Sequence, residues 1–185
     1  MQKRILLLLF IFLTSCGSQA QTVLASPSPD LTTPTAAPLS ITPTIENCAY
    51  VQATQNLPDA TVQIDKAIKQ LQPDANARAE AYGENCVYAS NAQSTFSAME
   101  TDFYFTINVK NLKDDNELGT WIINTMSIVN ALPAASIAGP QAGFVKYTFK
   151  TKGDQRILRI SITTYKNLPT HISSADVIQS LFPNP

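Results

Sequence analysis

Apolar residues recur along this chain in three rhythms. An unbroken run from Ile5 to Leu13 follows Lys3 and Arg4. Between residues 17 and 45 no period exists, and beyond residue 46 helical and strand spacings alternate. Asp59 follows Pro58 and precedes Val62, Ile64, Ile68 and Leu71; the last three lie at helical spacing until Pro73, so a helix capped by Asp59 is expected. Asn76 to Tyr88 gives a weak strand signal with a break at Gly83. Phe103, Phe105, Ile107 and Val109 alternate with Tyr104, Thr106, Asn108 and Lys110, the period of a strand with one buried face.

Asp114 with Glu117 forms a capping box ahead of Leu118, Trp121, Ile122, Thr125, Val129 and Leu132, which share one face of the longest helix until Pro133. Val145, Tyr147 and Phe149 alternate, Lys152-Gly153-Asp154 turns the chain, and Leu158, Ile160 and Ile162 alternate again, which predicts a β-hairpin. Ser173 caps a short last helix, with Asp176 at its third position and Ile172 set to staple against Val177 before Pro183 ends it. The order is α-β-β-α-β-β-α. With strands joined to neighbours by short turns, the expectation is an α+β two-layer sandwich: an antiparallel sheet of about four strands, about three helices on one face, and the other face solvated or open to a partner. The two helix-plus-hairpin halves show no residue-level identity.

The N-terminal run is too short to cross a bilayer, which needs about 20 apolar residues. Charge followed by nine apolar residues is the layout of an export signal. Its boundary, Leu13-Thr14-Ser15-Cys16 before Gly17, resembles the lipobox of bacterial lipoprotein precursors. That resemblance covers about seventeen residues and implies a signal at residues 1–15, cleavage before Cys16 and a diacylglycerol on the Cys16 thiol. Two or three acyl chains would hold the chain to a membrane on its extracytoplasmic side, where one chain binds only marginally. Gly17 in place of Asp implies no retention at an inner membrane, so the expected location is the cell surface, or the outer membrane where one exists.

Residues 16–45 then form a tether. Pro27, Pro29, Pro34, Pro38 and Pro43 interrupt a Ser, Thr and Ala background with one charge, Asp30. Such a segment buries no core and extends to at most roughly 80–90 Å. A proline-rich recognition site and an O-glycosylated stalk fit the same composition. Residues 46–185 have the size of one domain.

Composition narrows the chemistry. Without the signal, eleven basic residues face fourteen acidic ones, a net charge near −3. Nucleic acid needs clustered Lys and Arg and is excluded as a partner. With Cys16 acylated and the rest exported, Cys48 and Cys86 are expected to pair, closing a loop worth roughly 4 kcal/mol. No C-x-x-C occurs and His171 is the sole histidine, so no metal site or cofactor is expected. His171 reads as a surface residue, since no local motif supplies a nucleophile and an orienting partner.

Glu100 and Asp102 lie two apart on a strand, with Glu80 and Glu84 placed to face them, a group able to bind a cation or act as an acid/base pair. Arg78, Lys146, Lys150, Arg156 and Arg159 read as a solvated sheet face with cross-strand ion pairs, or as a surface for an anionic polymer. Trp121 and the Phe103 to Phe105 aromatics have core spacing, and no phosphate loop, G-x-S-x-G elbow or H-E-x-x-H motif occurs. The expected role is a non-enzymatic tethered binding or accessory module, meeting an envelope protein or polymer through the free sheet face or the loop from Pro133 to Gly143. The competing roles are a small extracytoplasmic hydrolase using the carboxylates near Glu100, and a purely structural envelope lipoprotein.

Overall fold

The computed structural model describes residues 47–89 and 94–183. The expected signal, Cys16 and the tether lie outside the described residues. The elements run β1 (Cys48–Asn56), α1 (Pro58–Leu71), β2 (Asn76–Tyr88), β3 (Thr95–Asn108), α2 (Asp115–Asn130), β4 (Gln141–Lys150), β5 (Gln155–Ser161), α3 (Ile162–Lys166) and α4 (Ser174–Leu181), with a single 3₁₀ turn at Ala134–Ser136. The fold is α+β. The five strands among the described residues form one sheet in the order β1-β2-β3-β4-β5.

Two features of that sheet depart from the expected antiparallel four. β1 is an added strand, antiparallel to β2 from Cys48 opposite Tyr88 to Asn56 opposite Glu80. Its residues are exposed apart from the half-buried Cys48 and Ala53, so no buried face imprints an alternating pattern on its sequence. The second departure is that β3 and β4 run parallel. Their connection is no short turn: it passes through α2, the crossover that parallel pairing requires. β2–β3 and β4–β5 are antiparallel, and the latter hairpin turns where expected, Thr151 N–H donating to Asp154 O at 3.0 Å.

Alternation decides the layers. Ala77 and Ala79 of β2, Phe103, Phe105 and Ile107 of β3, Val145, Tyr147 and Phe149 of β4, and Leu158 and Ile160 of β5 bury one face against Ile64 and Ile68 of α1, Leu118, Ile122 and Met126 of α2, and Val177 and Ile178 of α4. The alanines of β2 make room where α1 lies. Trp121 is half-buried and packs on this core, as its spacing predicts. Tyr147 is fully buried, and its hydroxyl meets Thr125 Oγ1 at 2.9 Å. That pairing is what makes a phenol tolerable in an apolar core, and burial drives its pKa far up.

Helix starts follow the sequence in two cases of three. Asp114 caps α2, Oδ1 accepting from Asn116 N (3.0 Å) and Glu117 N (3.1 Å), while Glu117 turns outward to accept from Lys110 N and Asn111 N. Ser173 Oγ accepts from Asp176 N at 3.2 Å and opens α4. In α1 the cap position is Leu57, with Pro58 at the first helical position and Asp59 inside the first turn. Proline starts that helix by its fixed φ, and Asp59 contributes only its charge. Ile162, expected at the end of β5, instead begins α3, which Ser161 caps.

Candidate functional site

Among the described residues nothing covers the face of the sheet opposite the helices, and the register places the candidate residues on it in rows. Arg78, Tyr104, Lys146 and Arg159 stand in one line across β2, β3, β4 and β5, since each is paired with the next. The adjoining line holds Glu80 opposite Asp102, and the line after that Tyr82 opposite Glu100. A cationic row therefore borders an acidic one. Arg78 pairs with Glu80, and its guanidinium carbon lies 3.8 Å from the centre of the Tyr104 ring. Arg159 sits in the same way 3.7 Å above Phe144. Stacking of this kind holds a long side chain flat and adds roughly 0.5–1 kcal/mol at an exposed site.

Two irregularities shape this face. Between β2 and β3 the register shifts after Tyr82, so Met99 is an extra residue beside Gly83. Between β3 and β4, Thr101 pairs with Ala142 and Phe103 with Val145, so Gly143 and Phe144 together oppose Asp102. A bulge of that kind frees a backbone donor. Asp102, 9% exposed, satisfies it: Oδ1 accepts from Phe144 N at 2.8 Å. A side chain at Gly143 would collide with Thr101 O and Asp102 Oδ1. Thr101, buried on the other phase of the strand, exchanges two 2.8 Å hydrogen bonds with Ala138 N and O. Gly139, at φ +82°, lies against Met99 and Glu100 where no side chain fits. The loop from Pro133 to Gly143 is thereby fastened to β3.

Of the four carboxylates expected near one another, Glu80, Asp102 and Glu100 are brought together, and the first two are already engaged. Glu80 is held by Arg78 and by the Tyr104 hydroxyl, whose pKa is raised by burial, by the Glu80 charge and hydrogen bond and by Asp102, against Arg78. Asp102 is spent on the bulge. Glu100 remains, its carboxyl raised above the ordinary value by burial and by the Asp102 charge, with Arg159 opposing. Glu84 lies further along β2, opposite Ser97 and Gln52. Arg156 leaves the group expected on this face. It projects to the helix side, donating to Leu112 O and pairing with Asp115 at 3.2 Å. His171 is exposed before α4.

Cys48 and Cys86 form the expected disulfide, Cα atoms 5.3 Å apart, on the open face where β1 meets β2. No group of three or more His, Cys, Asp and Glu able to hold a metal occurs among the described residues. Two concavities bear on binding. One, of about 340 Å³, lies on the open face between Asp102, Tyr104, Phe144, Lys146, Ile157 and Arg159. The other, of about 190 Å³, opens at the end of α2 between Phe103, Val129, Leu132, Ile137, Ile162 and Lys166. The second is smaller than the usual small-molecule site of about 300–1,000 Å³.

Sequence reasoning passed over Tyr104, Phe144 and Ile157. Their signal was present: each is a large apolar side chain on the polar phase of a strand whose other phase is core. Taken together, the described residues form a two-layer α+β domain whose helices cover one side of a mixed sheet and whose other side is open, aromatic and charged. Comparison with protein-family models, with curated proteins and with solved structures returns no match.

Proposed function

We propose that this chain is a lipid-anchored binding module of the bacterial cell envelope, held outside the cytoplasmic membrane through Cys16, and that the open sheet face is its partner surface. The observation that carries this reading is the make-up of that face. Four of the six tyrosines, Tyr50, Tyr82, Tyr88 and Tyr104, occupy its strand phase together with Phe144, Arg78 and Arg159. Tyrosine, phenylalanine and arginine are the residues enriched where proteins meet proteins. Rows of opposite charge favour a folded envelope protein over a uniformly anionic polymer, which would meet Glu80, Asp102 and Glu100 along with the cations. The hydrolase reading is weakened because Glu80 and Asp102 are committed to Arg78 and to Phe144 N.

Affinity capture with the full lipidated chain from its own membranes tests the surface. Wild type should retain a specific protein, and Tyr104→Ala combined with Phe144→Ala should lose it about tenfold or more, the cost of removing interface anchors. Undiminished capture by the double variant rejects the open face, and recovery of a polysaccharide in place of a protein rejects the partner class. A fatty-acid analogue fed to cells should label wild type and not Cys16→Ser; equal labelling rejects the anchor.

A further inference from the structure

The sheet ends on two unlike edges. β5 is seven residues long, carries Arg156 and Arg159 and runs directly into α3. Shortness and charge are the usual protections of an exposed edge against pairing with another chain. β1 has none of these. It is nine residues long, contains neither a charged residue nor a proline, and pairs with β2 in unbroken register without a bulge. No strand lies on its outer side among the described residues, and its residues make no backbone hydrogen bond there. The Cys48–Cys86 disulfide rivets this edge to β2. A strand already held straight gives up little further freedom when another strand joins it.

We infer that β1 is a dimerisation edge, and that its occupant is β1 of a second copy of this chain, paired antiparallel about a two-fold axis at Gln52 to make one ten-stranded sheet. That register uses all nine residues. On the open face it sets Tyr50 opposite Thr54 on both sides of the axis, an aromatic and β-branched pairing that stabilises antiparallel strands. On the helix side it sets Val51 opposite Ala53. Val51 is 52% exposed and Val87, its neighbour on the same phase, 43%, an apolar margin that a second copy would cover. Like charges never face one another across the axis, because β1 has none. A two-fold contact of identical surfaces is the commonest way soluble chains associate.

The part of the chain's own upstream segment nearest this edge in sequence, from Pro27 to Pro43, is a poor competitor for it. Its prolines from Pro27 to Pro43 remove ladder donors at intervals of two to five residues. The tether also fits the pairing. Antiparallel β1 strands put the two Cys48 ends roughly 27 Å apart, well within reach of two tethers of up to roughly 80 Å rooted in one bilayer; this last point alone rests on the anchored reading. The dimer would set two open faces side by side, doubling the surface offered to a partner.

The full-length protein, extracted in detergent, should sediment with the mass of two chains, and so should Cys16→Ser protein, which separates the dimer from the anchor. Successive residues of β1 point their N–H groups alternately to β2 and to the free edge. One of Val51→Pro and Gln52→Pro therefore breaks the intermolecular ladder alone. The variant whose proline removes the outward N–H should sediment as a single chain and melt as the wild type does at dilutions where it too is a single chain. Gln52→Cys should cross-link into a covalent dimer in membranes without reductant. Wild type of single-chain mass throughout a dilution series, a dimer that survives both proline variants, or Gln52→Cys linked to another protein would each overturn the inference.

Discussion

At the scale of single residues, the face opposite the helices is built by satisfying its own backbone before anything else. Asp102 was a candidate acid or base from its position two residues after Glu100; the bulge at Gly143 and Phe144 converts it into a backbone partner, which no spacing rule reveals because the bulge exists only once β3 and β4 are paired. Glu100 is the member of that group whose carboxyl the fold pushes upward. Its pKa in the fold lies above the ordinary 4.5, with burial the first cause and the Asp102 charge the second. A carboxyl raised on folding binds its proton more tightly in the folded state, so its contribution is favourable below about 4.5 and is lost as pH rises through the folded value. Glu100→Gln should therefore be more stable than wild type at pH 7, by about half a kcal/mol or less at a half-buried site, and the gap should close near pH 4. Urea unfolding at the two pH values measures this. A Gln variant less stable at pH 7 would mean that Arg159 outweighs both burial and Asp102.

At the scale of elements, close approach decides what periodicity leaves open. The helical spacing of α2 was legible from Leu118, Ile122 and Val129, and its cap from Asp114. That α4 packs beside its first turn was not. The contact depends on Gly119, where a side chain would collide with the Ser174 carbonyl, and Thr120 Oγ1 adds a 3.0 Å hydrogen bond to Ser174 Oγ. Nothing else is near enough to yield, because the colliding atom is backbone. Gly119→Ala should push α4 off the core that Val177 and Ile178 complete, at a cost of about 1–3 kcal/mol despite the gain in helix propensity. Hydrogen exchange should show the loss concentrated in residues 174–181. Unchanged protection there would place the freedom to adjust in α4 itself.

At the scale of the whole molecule, the disulfide joins the one strand that packing scarcely holds. The half-buried Ala53 and Cys48 are all that β1 buries, so its place in the sheet rests on the ladder to β2 and on the Cys48 to Cys86 link, which spans 38 residues and encloses α1. Replacing both cysteines by serine should lower stability by about 4 kcal/mol in the chain-entropy view, roughly 10–20 °C in melting temperature, with β1 the first element to lose exchange protection. Equal melting of wild type and the double variant would show that the ladder alone suffices. Helices α1, α2 and α4, strands β2 to β5, the turn between β4 and β5, two of the helix caps and the pairing of two cysteines were legible in the sequence itself. Each is a local matter of period, cap chemistry or count. Only the tertiary structure decided that β1 exists, that β3 and β4 run parallel, and that Asp102 serves a bulge while Arg156 faces the helices. Strand pairing joins residues far apart in the chain, and a strand exposed on both faces carries no hydrophobic rhythm to announce it.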